Sequence, residues 1–296
     1  MSIELTKDTI LYKNDLKYKS QTNINLDKLR ELDHPILSDS SNLIDMDSLS
    51  YRISECVSTN YKTLDLSGLE LTKLPLFKDH LIYNVVNLFC VDNKLEKLTG
   101  IEKFKNLLVL DVSGNLLKEI THLPNTLNEL VCRNNKLSNI NLPLNIRLLD
   151  VSFNKLVNLP FSENLVDIVC SNNMIVEILS YPNLKRLICR NNRIKHILKQ
   201  HKLKFLDCSY NYLTFIDTFD KLNTLYCSDN DITKLYDLPI IEKIECINNK
   251  LHFIPFFPHC NLIVCDNGIE LDVKYKNINK NISVNSLNNL MIEFTS

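Results

Sequence analysis

The sequence predicts an α/β solenoid. It reads as a curved array of about eleven short coils, with a parallel β-sheet on the concave face, a mostly irregular or 3₁₀ convex side and a helical N-terminal cap. Three observations lead there. Asparagine returns at one constant interval, at Asn135, Asn154, Asn173, Asn192, Asn211, Asn230 and Asn249. Around each stands one apolar frame, as at Leu184, Leu187, Cys189, Asn192, Ile194 and Ile197. Cys132, Cys170, Cys189, Cys208, Cys227 and Cys246 share a single repeat position, and Cys90 occupies its equivalent upstream. A short fixed period marks stacked units, none of which can bury its own apolar face.

The frame resembles the leucine-rich repeat unit, which sets leucines at these spacings around a polar Asn or Cys. The resemblance runs from about Leu64 to Ile269. The short units with Leu142-Pro143 and Leu159-Pro160 are similar to the arrays of bacterial effectors and internalins. The resemblance implies the solenoid. Some effector arrays of this kind add a C-terminal ubiquitin-ligase domain with a catalytic Cys. Here the stretch from Glu270 to Ser296 holds no Cys, so that activity is not carried over.

Residues 1–42 read as an irregular N-terminal arm. Leu26, Leu29, Leu32 and Ile36 hint at a short helix, and Ser38 to Asn42 form a loop signal. Residues 43–60 form the helical cap: Leu49, Ile53, Cys56 and Val57 make one apolar face, and Asp47 is a candidate N-cap. The array spans 61–271. Its first unit has Leu69 where Asn is expected, as befits a coil with no predecessor to bond. The next anchors, Asn93 and Asn115, come at longer intervals. That leaves room for an outer helical turn around Lys78–Val85 and Ile101–Phe104. From Asn135 the units are too short for a helix, so their outer segments are expected to be extended or 3₁₀. The last unit looks worn, with Leu262, Val264, Asn267 and Ile269, its Asn falling one position short of the regular interval from Asn249. Residues 272–296 close the end through Val273, Ile278, Ile282, Leu287 and Leu290.

The asparagines are structural by this reading. A carboxamide carries two donors and an acceptor, enough to bond main-chain groups left open where the chain turns after each strand. The ladder comprises Asn93, Asn115, Asn135, Asn154, Asn173, Asn192, Asn211, Asn230, Asn249 and Asn267. The cysteine column is buried thiol, since a free Cys behaves as a small hydrophobe. Coils stack ~4.8 Å apart, whereas a disulfide brings its Cβ atoms to ~3.8 Å. The column therefore stays reduced.

Side chains alternate along a strand, which sorts the sheet face into columns. One outward column holds Asp65, Phe89, Asp111, Val131, Asp150, Val169, Ile188, Asp207, Tyr226, Glu245 and Ile263. In the middle of the array Arg186, Ile188, Arg190, Phe205, Asp207, Tyr210 and Tyr226 bring arginine and aromatics together, the residue types enriched at interface hot spots. These seven are the candidate partner-binding residues. Asp111, Asp150 and Asp207 read as a solvated acidic stripe rather than paired catalytic carboxylates, because Val131, Val169 and Ile188 interrupt them.

Composition narrows the function classes. Net charge is -1 with both signs interspersed, which argues against nucleic acid and anionic membranes as partners. No apolar leader opens the chain, and no run of ~18 apolar residues is present to span a bilayer. The four glycines are far apart and form no phosphate loop, and the seven histidines show no metal-ligand spacing. The sequence thus predicts a non-enzymatic, monomeric, cytoplasmic protein with no cofactor and no metal, binding a partner protein through the concave face. An alternative is an adaptor whose residues 1–42 recruit a ubiquitin ligase or phosphatase. Abundant Asn, Lys and Ile with no Ala or Trp points to an AT-rich genome, such as that of a large DNA virus or a protist; for a virus the setting is the host cytoplasm.

Overall fold

The computed structural model describes residues 46–277. The N-terminal arm, the start of the cap, the side chain of Asp47 and the closing residues Ile278, Ile282, Leu287 and Leu290 lie outside the described residues.

Helix α1, Met46–Ser58, buries Leu49, Ile53 and Cys56. Successive helical turns place these three on one face. The helix ends where Asn60 and Tyr61 turn left-handed, and the Tyr61 N–H returns to the Cys56 carbonyl at 2.9 Å. Arg52 meets Asp65 at 3.3 Å and ties the cap to the first strand.

Eleven short strands follow, one per coil, all parallel in one sheet and in sequence order. Coils 1 to 6 contribute Thr63–Asp65, Asn87–Phe89, Val109–Asp111, Glu129–Val131, Leu148–Asp150 and Asp167–Val169. Coils 7 to 11 contribute Arg186–Ile188, Phe205–Asp207, Thr224–Tyr226, Lys243–Glu245 and Leu262–Val264. In each strand the central residue points inward and is buried. The ladder runs one residue further, since the next inward N–H bonds the following coil, as from Cys189 to the Asp207 carbonyl at 2.8 Å.

Inward positions form continuous columns of Leu, Ile and Cys, nearly all fully buried. Each buried Leu or Ile contributes ~1.5–3 kcal/mol that no single coil could supply. The thiols of the Cys column form no disulfide, and burial pushes each of them up from the usual thiol range.

The outer side follows unit length. The two long units hold helix α2, Asp79–Asn84, and the 3₁₀ turn Ile101–Lys103. The shorter units are extended there, and very short strands pair coils in twos. Glu119–Ile120 pairs with Asn139–Ile140, and Glu177–Ile178 with His196–Ile197. Phe215–Ile216 pairs with Lys234–Leu235, and Phe253–Ile254 with Glu270–Leu271.

The last coil corrects the expected register by one position. Ile263 is buried and pairs in register with Ile244, while Leu262 and Val264 face outward. Cys265 extends the thiol column one regular interval beyond Cys246, so the unit has the common length. Asn267 is a false mark, because Gly268 holds the position that continues the interval from Asn249. At the array's end Val273 is exposed. Tyr275 closes the core instead, its hydroxyl donating to the Pro255 carbonyl at 3.0 Å and accepting the Phe257 N–H at 2.9 Å.

Candidate functional site

Two sets of side chains recur from coil to coil, one turned into the stack and one turned to solvent. The asparagines form the hidden set. Asn192 Oδ1 accepts the Ile175 N–H of the preceding coil at 3.0 Å. Its Nδ2 donates to the Cys170 carbonyl of that coil and to the Cys189 and Arg190 carbonyls of its own. Asn115, Asn135, Asn154, Asn173, Asn211, Asn230 and Asn249 repeat this pattern. Asn93 starts it, accepting the N–H groups of Leu69 and Leu71. Asn267 takes no such place and is exposed; the neighbouring Asp266 accepts a different donor, the Asn248 N–H at 2.7 Å.

The residue before each Asn, or before Leu69 in coil 1, turns left-handed, with φ between 50° and 71° in coils 1 to 10. Gly, Asn and Asp fill this position in eight coils, because they adopt that region at least cost. Coils 5 and 8 place Phe153 and Tyr210 there, 50% and 51% exposed. A bulky residue held so is costly by ~1–3 kcal/mol, and such outliers cluster where they serve binding.

The second set is the open sheet face. Across coils 6 to 10 its side chains stack into a continuous row. Asp167 holds Arg186 through both carboxylate oxygens, at 2.9 and 3.1 Å. The Arg186 guanidinium lies 5.6 Å from the Phe205 ring centre. Phe205 packs on Tyr226 at 5.7 Å, and Lys243 Nζ sits 4.9 Å from the Tyr226 ring. A second line runs beside it: Arg190 reaches Asp207 at 3.5 Å and Tyr210 at 5.8 Å. The structure thus brings Arg186, Phe205 and Tyr226 into one row and Arg190, Asp207 and Tyr210 into another. Ile188 lies between them, paired in register with Val169 and Asp207.

The acidic column departs from the solvated stripe expected from sequence. Asp207 is buried, and Asp111 and Asp150 are half-buried. Desolvation holds all three carboxyls above the usual range, against the lowering pull of hydrogen bonds from Ser113, Ser152 and Ser209 and of nearby arginines. Each Oδ1 accepts the N–H of the serine that follows, so the carboxylate is a main-chain fixture as much as a surface charge.

Periodicity does not single out Gln200, yet it occupies a structural site. It stands one repeat from both Tyr181 and Phe219, in an outer column that also holds Ser162, Leu238 and Phe257, and is buried. Its Oε1 accepts the Tyr181 N–H at 2.9 Å, and its Nε2 donates to the Leu179 and Leu198 carbonyls at 2.7 Å each. The signal in the sequence is the one amide in a column held elsewhere by Ser162, Tyr181, Phe219, Leu238 and Phe257. Among the described residues, no cluster of three or more His, Cys, Asp or Glu is placed to hold a metal ion, and no helix is long and apolar enough to cross a membrane.

No protein-family model and no curated protein sequence matches the chain. Solved structures do. The fold is similar to that of YopM, a leucine-rich effector protein from Yersinia pestis, at TM-score 0.57 and 19% identity over 83% of this chain and 75% of that one. It is similar to YopM from Yersinia enterocolitica WA-314, at TM-score 0.53 and 21% identity over 86% and 67%. It is also similar to a chain of the LRIM1/APL1C complex, at TM-score 0.56 and 22% identity over 70% of this chain and 40% of that one. The chain thus spans less than half the length of that last relative. The likeness is one of fold, and the fold is the leucine-rich repeat solenoid.

Proposed function

We propose that this leucine-rich repeat array binds a partner protein through its open sheet face, centred on coils 7 to 9, with no catalytic chemistry of its own. The stacked row Asp167, Arg186, Phe205, Tyr226 and Lys243 carries the reading. Each side chain is held by its neighbour before any partner arrives, so little rotamer entropy remains to be lost on binding. Arginine and tyrosine held this way are the usual anchors of protein interfaces. Solenoids present such faces as their binding surface. The neighbour from the LRIM1/APL1C complex lends support, since it is seen with a protein partner. We place the protein in the cytoplasm as a monomer; the buried reduced thiol column suits a reducing compartment.

The test is affinity capture of partners from the native cell by the wild-type chain and by Arg186→Glu with Tyr226→Ala, quantified by mass spectrometry. Loss of two anchors costs at least ~2 kcal/mol each, so partner recovery falls by tenfold or more. Unchanged recovery, with the variant folded, refutes the site.

A further inference from the structure

Coil 7 differs from the rest of the chain in charge. The stretch from Lys185 to Leu203 holds seven Lys or Arg and two His, with no Asp or Glu, in a protein of net charge -1. On the sheet side the excess is neutralised, Arg186 by Asp167 and Arg190 by Asp207. On the outer side Lys199 meets Asp220 at 3.4 Å, but Arg193, Lys195, His196 and Lys202 are exposed, and Lys202 bonds the neutral Asn183 amide. Arg193, Lys195 and Lys202 thus leave an excess of positive charge on the outer side of coil 7.

The same place has a gap in the stack. Outer strand pairing joins coils 6 and 7, and coils 8 and 9, but not coils 7 and 8. Among the described residues no main-chain hydrogen bond links 195–200 to 213–219. A crevice of about 170 Å³ opens there, with Ile197, Leu213, Ile216 and Phe219 in its lining. Lys195, His196 and Lys199 line it too. Leu198 and Phe215, 43% and 40% exposed, carry the apolar surface out of the crevice.

We infer that this outer crevice is a second docking site, and that its occupant is an extended acidic protein segment that seats one apolar side chain between coils 7 and 8. The volume decides the first half of that description. Drug-sized ligands fill ~300–1,000 Å³, so 170 Å³ suits a single side chain of leucine or phenylalanine size. Charge decides the second half, because the coil that forms one wall carries Arg193, Lys195 and Lys202 exposed on its outer side, with Lys199 alone held by a carboxylate, Asp220. A nucleic acid fits less well. The basic band is one coil wide, and Glu177 and Asp217 stand at the crevice on the coils to either side. A phosphodiester strand crossing the coils would run onto those carboxylates, whereas a peptide can keep its acids along coil 7. The site is independent of the sheet-face reading, since it lies on the opposite side of the coils.

The experiment is fluorescence anisotropy on the full chain with four probes. These are a short Asp/Glu-rich peptide with one central Phe, the same peptide with Ser for Phe, the same peptide with Lys for its acids, and a single-stranded oligonucleotide. Phosphatidylserine vesicles serve as a fifth arm by co-sedimentation. The acidic Phe peptide binds, more weakly as salt rises, and its affinity falls roughly tenfold on replacing Phe by Ser. Arg193→Glu with Lys195→Glu, both exposed and remote from the core, weakens it by roughly tenfold or more, and so does Leu198→Asp. Arg186→Glu with Tyr226→Ala leaves it unchanged. The inference is overturned if the oligonucleotide or the vesicles bind more tightly than the acidic peptide. Binding that ignores the Phe, binding insensitive to the coil 7 charge reversals, or no binding by any probe overturns it as well. Loss of peptide binding in the sheet-face variant would move the probe to that face and end this inference while leaving the first.

Discussion

Removing Asn192 tests the ladder most directly, because the structure says which groups would be orphaned. In Asn192→Ala the Cys170 carbonyl keeps the Asn173 Nδ2, the Cys189 carbonyl keeps the Asn211 Nδ2, and the Arg190 carbonyl keeps the Asn172 N–H. Only the Ile175 N–H, deep in the core, loses its acceptor. One buried unsatisfied donor costs ~1–3 kcal/mol. The exposed Asn267 gives the control, and its replacement by Ala stays within ~0.5 kcal/mol. Asn192→Asp is worse than Ala despite its matching shape, since it sets a carboxylate against three carbonyls. Urea denaturation reads the cost to the array as a whole. Amide hydrogen exchange reads the site itself. The Ile175 amide exchanges faster by roughly thirtyfold for a ~2 kcal/mol loss, while the Leu71 amide, bonded by Asn93, is unaffected. Equal costs at Asn192 and Asn267, or an unchanged Ile175 rate, would refute the reasoning.

Four further outcomes follow from the same geometry. Gln200→Leu looks like a repair of the outer column, yet it strands the Tyr181 N–H and destabilises by ~1–3 kcal/mol, measurable by urea denaturation. Tyr210→Asn relieves the left-handed backbone and raises stability by ~1 kcal/mol, while partner recovery falls; a stability gain without that fall would separate Tyr210 from the interface. The thiol column resists a bulky thiol reagent in the native protein and reacts only on unfolding. Its pH dependence has a definite sign. Folded thiols titrate higher than unfolded ones, at about 11 for Cys265 at the end of the column and for Cys56 in the cap helix against 9.0, so their contribution is complete below pH 9 and is lost as pH rises through 11. Denaturation midpoints that hold or rise as pH climbs from 9 towards 11 would contradict this. Asp111→Asn keeps the oxygen that accepts the Ser113 N–H and removes a charge that burial disfavours, so it leaves stability equal or higher at pH 7 in the same urea assay.

The candidate site is partly legible in the sequence. Alternation along a strand puts Arg186, Phe205 and Tyr226 on one face, but it says nothing of whether neighbours touch. That depends on side-chain reach across coils, which gives Arg186 both Asp167 and Phe205. An outward column suggests a solvated Asp207, yet Arg190 and the turn at Ser209 cover it. In the last coil the polar mark, Asn267, lies one position ahead of the frame, while the apolar residues Ile263 and Cys265 keep the period.

Sequence alone determined the coil. A strict spacing of Asn with Leu, Cys and Ile at fixed offsets admits one solution, in which each unit hides its apolar face and open main-chain groups against the next. Tertiary structure alone decided what happens between coils: where outer strands pair and where they part, which charges cancel, and which aromatic rings meet. A period is counted along the chain, whereas these contacts are made across it, between residues whose separation in sequence carries no mark of how closely two coils are joined.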